Sequence, residues 1–255
     1  MFRGYYIAAN GMINQQRVMD TISNNIANSQ TSGYKKDTNI PTTFDRQLML
    51  IRGQKNKTGT IEYRKTSTIS TALEQGSFEN TNSRLDVALK GNIYFNIQPK
   101  SQMYKDDGTT LLTRKGQFNI DDEGYLALGS AGRVMGKEGP IQIGTADFAI
   151  DEKGKITTSD GKTYQLALSY INDNSDIIKK GDNMFVPAEG TKISTEIPEG
   201  TEYAVVQGSY ERSNVDMAEE MTKSIAAQRN FETCSQMLQM MDTINQKAST
   251  ELGKV

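Results

Sequence analysis

The chain's chemistry-bearing side chains are few and scattered. Two acidic turns stand out, Asp121-Asp122-Glu123-Gly124 and Asp151-Glu152-Lys153-Gly154, because carboxylates beside a glycine can bind calcium. An EF-hand loop needs ligands at alternate positions, a glycine at the sixth and a glutamate at the twelfth, and neither turn supplies them. Both read as solvated hairpin turns. The stretch from Gly129 to Lys137 resembles a phosphate loop, but Ala131 replaces the opening glycine and Glu138 replaces the magnesium-binding hydroxyl. A surface turn before Gly139-Pro140 is the expected structure there. The chain has no His, so Ser-His-Asp triads, Cys-His dyads and His-ligated zinc are excluded. The lone Cys234 makes no internal disulfide and reads as a small filler on an apolar helix face. Two carboxylates could still serve a glycan hydrolase, but nothing singles out a pair. No catalytic, cofactor or metal residue is assigned.

The elements are more informative than the side chains. The sequence has 255 residues, 29 basic and 31 acidic, and 36% are hydrophobic. A net charge of −2 gives nucleic acid no basic face to bind. No apolar run is long enough to span a bilayer, and Tyr5 to Ala9 is too short for a signal-peptide core. From Gly4 to Tyr34 the only charges are Arg17 and Asp20. Tyr5, Ala8, Met12, Met19, Ile22 and Ile26 fall on a seven-residue repeat, with Gln15 and Gln16 filling the missing beat. This predicts a helix with a narrow stripe, ending near Asn28, with Gly33 as its stop or turn.

The far end repeats the pattern. Ser213 is the expected cap, with Asp216 in the first turn. Met217, Met221, Ser224, Gln228, Phe231, Cys234, Leu238, Met241, Ile244 and Ala248 form the expected seam of an uninterrupted helix. At 1.5 Å per residue such a helix is roughly 50 Å long, too long for a modest domain to cover. Between the helices, Leu85/Val87/Leu89, Phe118/Ile120, Leu166/Leu168/Tyr170 and Tyr203/Val205 alternate as strands do. Asp107-Gly108, Glu123-Gly124 and Asp160-Gly161 supply turns. Phe118–Leu126 and Phe148–Ile156 echo each other as strand, acidic turn, strand. The expected fold is α+β: residues 1–34 an axial helix, 35–60 a linker, 61–210 a central β domain of short hairpins, and 211–255 a second axial helix, the two helices pairing as a coiled-coil-like layer.

A motif adds a family. Asn24-Asn25-Ile26-Ala27-Asn28, Thr31-Ser32-Gly33-Tyr34-Lys35, Leu73-Glu74-Gln75-Gly76 and Leu85-Asp86-Val87-Ala88-Leu89 stand in order along the chain. Thr113-Arg114-Lys115-Gly116-Gln117-Phe118, Gly208-Ser209-Tyr210-Glu211-Arg212-Ser213-Asn214-Val215-Asp216 and Gln228-Arg229-Asn230-Phe231-Glu232 follow. Together they resemble the bacterial flagellar rod and hook proteins. The resemblance implies a structural subunit of the hollow basal-body rod, which carries torque from motor to hook. Its partners would be copies of itself, other rod and hook-basal-body axial proteins, and the flagellar type III export apparatus, with no cleaved signal peptide. The short interval from Tyr34 to Gly76 points to a proximal-rod type, with a distal-rod type as the alternative. The residues expected at the assembly interface are Ala8, Met12, Met19, Ile22, Asn25, Ile26, Asn28, Gly33, Met217, Met221, Gln228, Phe231, Leu238 and Met241. A secreted glycan hydrolase and a surface adhesin are the competing classes.

Overall fold

The computed structural model describes residues 2–41, 67–100, 110–129, 131–171, 177–181, 183–187, 197–198 and 200–252. The expected Asp107-Gly108 turn and the 42–60 part of the expected linker lie outside them. The chain is α+β: a helix at each end, α1 (Phe2–Ala27) and α2 (Met217–Leu252), and a β-rich middle. It divides into two compact units. One holds Met1–Ser29, Lys36–Ala72 and Val215–Val255; the other holds Gln30–Lys35 and Leu73–Asn214.

The second unit is built around the Ile93–Pro99 strand. It pairs antiparallel with Leu111–Thr113, Gly132–Gly136 and Leu168–Tyr170, the centre of a sheet of nine strands among the described residues. Ile93, Phe95 and Ile97 join the larger core with Val87, Leu89, Val134 and Ile156. Tyr94, one residue out of phase, packs with Leu112 and Phe185 in a separate cluster. A strand covered on both faces loses clean alternation, which is why residues 93–97 are all buried, Asn96 included. Phe95 meets Phe118 edge to face, ring centroids 4.9 Å apart.

The internal echo is two copies of one hairpin. Asp121 N donates to Tyr125 O at 2.9 Å and Gly124 N to Asp121 O at 2.8 Å; Asp151, Lys155 and Gly154 repeat both bonds at the same lengths. Gly124 and Gly154 sit at φ +81° and +78°, a conformation glycine adopts without strain. The stretch expected as a surface turn is different. Gly132–Gly136 is a strand paired on both edges, with Val134 fully buried. Its glycines serve close packing: a Cβ on Gly132 would lie 2.1 Å from Gln98 O. The turns lie at its ends: the bend at Gly129, φ +54°, and Lys137-Glu138, which leads into Gly139–Pro140 as expected.

A buried ion cluster fastens the ends of this unit. Glu211, on the Ser209–Glu211 strand, is 1% exposed. Its Oε1 accepts from Lys35 Nζ at 2.6 Å and from Gly76 N at 2.8 Å, and Arg114 Nη1 reaches Oε2 at 3.2 Å. Lys35 Nζ also donates to Glu74 O at 2.6 Å, and Arg114 Nη2 to Gly91 O at 2.6 Å. Burial pulls the Lys35 ammonium below the ordinary lysine value, against the opposing attraction of Glu211. Gly33, φ +66°, is a turn residue of this unit rather than the stop of α1; its N–H donates to Glu211 O at 2.8 Å. A Cβ there would lie 2.6 Å from the Arg114 carbonyl carbon.

Two outcomes follow for this unit. Removing the carboxylate by Glu211→Ala leaves two cations buried without their anion and costs on the order of 3–5 kcal/mol, measured by urea unfolding. A fragment that ends at residue 210 carries the same defect, so the autonomous piece must keep Gln30–Lys35 and run to Asn214. Gly132→Ala costs about 1–3 kcal/mol by overpacking, read in the same titration, because backbone rather than a flexible side chain meets the added carbon.

Candidate assembly surface

In the helical unit, α1 and α2 pack side by side. Tyr5 OH donates to Asp242 Oδ1 at 2.6 Å and accepts from Asn245 Nδ2 at 2.9 Å. A Cβ on Gly4 would meet Met241 Cε at 2.7 Å, and one on Gly11 would meet Cys234 Sγ at 3.1 Å. Asn25 Nδ2 donates to Glu220 Oε2 at 2.9 Å. The partner numbers fall as the α1 numbers rise, so the helices run antiparallel.

These contacts define a seam. On α1 it passes through Gly4, Ala8, Gly11, Gln15, Val18, Ile22 and Asn25, alternating four and three residues apart. On α2 the same alternation gives Glu220, Ser224, Ala227, Phe231, Cys234, Leu238, Met241, Asn245 and Ala248, all buried or half-buried. Glycine is about 1 kcal/mol less favourable than alanine inside a helix. At Gly4 and Gly11 the missing side chains let the opposing Met241 and Cys234 approach the α1 backbone.

The expected interface residues divide accordingly. Ala8, Ile22 and Asn25 are buried in the seam. Phe231, Leu238 and Met241 are half-buried there. Met12, Met19 and Ile26 follow Tyr5 at strict seven-residue intervals, half-buried along one flank. Met217, Met221 and Gln228 are exposed, outside the seam. Extending the seam backwards from Phe231 by threes and fours reaches Ala227 and Glu220 instead; favouring methionine over glutamate put the first turns of α2 out of phase. Asn28 caps α1, its Nδ2 donating to Asn24 O at 2.9 Å. Gly33 belongs to the other unit. The α2 cap is Asp216, not Ser213: Asp216 Oδ1 accepts from Ala218 N at 2.9 Å and Glu219 N at 3.2 Å. The helix starts at Met217, so the cap signature lies three residues further on than expected.

The Asn25 end is polar and closed by the Asp37–Pro41 strand, which pairs antiparallel with Ser67–Thr71. Asn25 Nδ2 donates to Asp37 O at 2.8 Å, and Asp37 N donates to Asn25 Oδ1 at 3.0 Å. Lys36 Nζ lies 3.0 Å from Glu220 Oε1 and 3.2 Å from Glu219 Oε2. Burial works against the Glu220 carboxylate, but the Asn25 amide and the Lys36 ammonium overcome it and hold the group below the ordinary glutamate range. Glu219, held by Lys223 and Lys36, shifts the same way.

Away from the seam the unit exposes large apolar side chains. Ile7 is 71% exposed, Ile244 62% and Ile225 56%, with Met221, Met237 and Met240 alongside on α2. Sequence reasoning named Met221 and Ile244 but placed them in the seam. Among the described residues no His, Cys, Asp and Glu group is arranged to hold a metal, and no helix is long and apolar enough to cross a membrane.

Two family models match the chain at its ends. Residues 6–35 match that of the flagella basal body rod protein, and residues 206–251 that of the flagellar basal body rod FlgEFG protein C-terminal region. The flagellar basal-body rod protein FlgG of Bacillus subtilis is 32% identical over 97% of this chain and 98% of its own length. That of Agrobacterium fabrum is 30% identical over 98% and 99%. The flagellar hook-basal body complex protein FlhO of Bacillus subtilis is 27% identical over the full length of both. With helices at both ends and the family's residues along the whole chain, the protein belongs to the flagellar basal-body rod proteins, a structural subunit of the rod.

Proposed function

We propose that the α1–α2 unit forms the axial wall of the rod by docking against copies of itself and against other rod and hook-basal-body subunits. The observation that carries this is the run of exposed apolar side chains flanking an already paired seam. Monomeric proteins rarely leave such faces in water without a partner surface. A coiled-coil-like pair fits the four-three alternation on both helices. Met1–Ser29, Lys36–Ala72 and Val215–Val255 then supply the axial layer, and Gln30–Lys35 with Leu73–Asn214 the β layer. A non-closing contact repeated head to tail builds a filament, and a filament of this kind transmits torque. The role is mechanical rather than catalytic. The low-charge first segment is the export signal for the type III route, which delivers the subunit to the basal body without cleavage. The short interval from Tyr34 to Gly76 favours a proximal-rod position, with a distal-rod position as the alternative.

The test separates seam from surface. Ile225→Asp and Ile244→Asp alter exposed positions and should shift monomer stability by no more than about 0.5 kcal/mol in thermal unfolding. Each should nevertheless abolish basal-body rods in electron micrographs of the mutant strain. Phe231→Asp should lower both, because its carboxylate falls inside the intramolecular seam. Lys247→Gln, an exposed control, should be silent in both measurements. Normal rods and normal motility in the two isoleucine variants would remove the exposed faces from the assembly surface.

A further inference from the structure

A four-three seam does not by itself fix the axial alignment of two helices. Sliding α1 by one heptad, about 10 Å, returns seam positions to seam positions. Gly4 would then face Cys234 in place of Met241, or, sliding the other way, Val18 would face Cys234. Small and apolar residues would oppose one another in each case. Besides the Tyr5 bonds to Asp242 and Asn245 at the exposed end, one buried pair breaks this near-degeneracy. Glu220 is 1% exposed and Asn25 likewise, and they bond only in the observed alignment. One slip sets Glu220 against Val18; the other sets Asn25 against Ala227. Either leaves the Glu220 carboxylate without its amide donor. Asn25 is also committed elsewhere, bonding both the N–H and the C=O of Asp37, the first residue of the Asp37–Pro41 strand. Lys36, one residue earlier, reaches Glu220 Oε1 at 3.0 Å.

We propose that Asn25 and Glu220, tied through Asp37 and Lys36 to the strand that follows α1, pin the axial register of the helix pair. A buried polar pair at a seam position is a known means of selecting one register at some cost in stability. Here the strand is bonded to the side chain that selects the alignment, so helix registry and strand placement are one event. The proposal concerns the free chain and stands apart from assembly.

The chain's single cysteine is a ready probe. In full-length protein, Gly11→Cys places a thiol where its Cβ lies 3.1 Å from Cys234 Sγ, suited to an intrachain disulfide. Gly4→Cys and Val18→Cys reach Cys234 only after a slip of one heptad in either direction. The three variants are oxidised in parallel, and intrachain links are mapped by non-reducing electrophoresis and peptide mass spectrometry. With Asn25 and Glu220 intact, only the Gly11→Cys link should form, slipped links being more than about a hundredfold rarer. With Asn25→Leu and Glu220→Leu introduced together, helical circular dichroism should persist while links from positions 4 and 18 rise at least about tenfold. Glu220→Gln keeps an acceptor for Asn25 and should retain the single register. The proposal is overturned if the double-leucine background still gives only the Gly11→Cys link. It is equally overturned if that background loses its helices, which would make the pair a stability element, or if slipped links already form with the pair intact.

Discussion

A single carboxylate organises the β-rich unit. Glu211 gathers a backbone N–H from Gly76, an ammonium from Lys35 and a guanidinium from Arg114, so residues far apart in sequence converge on one buried anion. A buried charge is tolerated only when paired and hydrogen-bonded, and here the requirement runs both ways. Lys35 and Arg114 also bond the carbonyls of Glu74 and Gly91. Each of these stretches is held in place by the others' need for a counter-charge. The apolar core supplies the bulk of the burial, but it is non-directional. The ion cluster states which segments must meet.

The helical unit solves the same problem with different means. Its seam is thin and short of bulky residues on the α1 side, where Gly4, Ala8 and Gly11 stand opposite the larger side chains of α2. Such a seam brings backbones close but buries modest area. Many large apolar side chains remain outside it, which is the composition expected of a piece whose burial is completed by neighbours. The polar end, with Asn25, Lys36 and Glu220, supplies direction where the apolar contacts supply little.

Much of this was legible in the residues. The uninterrupted C-terminal helix, the seven-residue beat of α1 and the duplicated hairpin all announce themselves as periodicities. The family was carried by motifs rather than by any active site. Three features were hidden, each for a physical reason. Gly132–Gly136 reads as a turn because its glycines signal flexibility, whereas here they permit strands to approach within the reach of a missing Cβ. The first turns of α2 were misphased because Glu220 is polar, and polarity predicts a surface position unless a partner such as Asn25 is known to be waiting. Lys35, Arg114 and Glu211 lay within recognised motifs, yet no local pattern shows that residues this far apart will share one charge.

The cluster around Glu211 has a mechanical side as well. Within the β-rich unit, Gly33 and Lys35 belong to the stretch that joins it to α1, and Glu211 lies just ahead of Asn214, where the unit ends before α2. Gly33 N is bonded to Glu211 O and Lys35 Nζ to its carboxylate, so incoming and outgoing chain are fastened to each other before either leaves. A pull on one is shared by the other. Separating them requires several short polar bonds to yield together, as in a riveted lap joint under shear, rather than one after another, as in a peeling seam. A subunit whose chain crosses between its two units four times thereby shares a turning force among the segments that Glu211 joins.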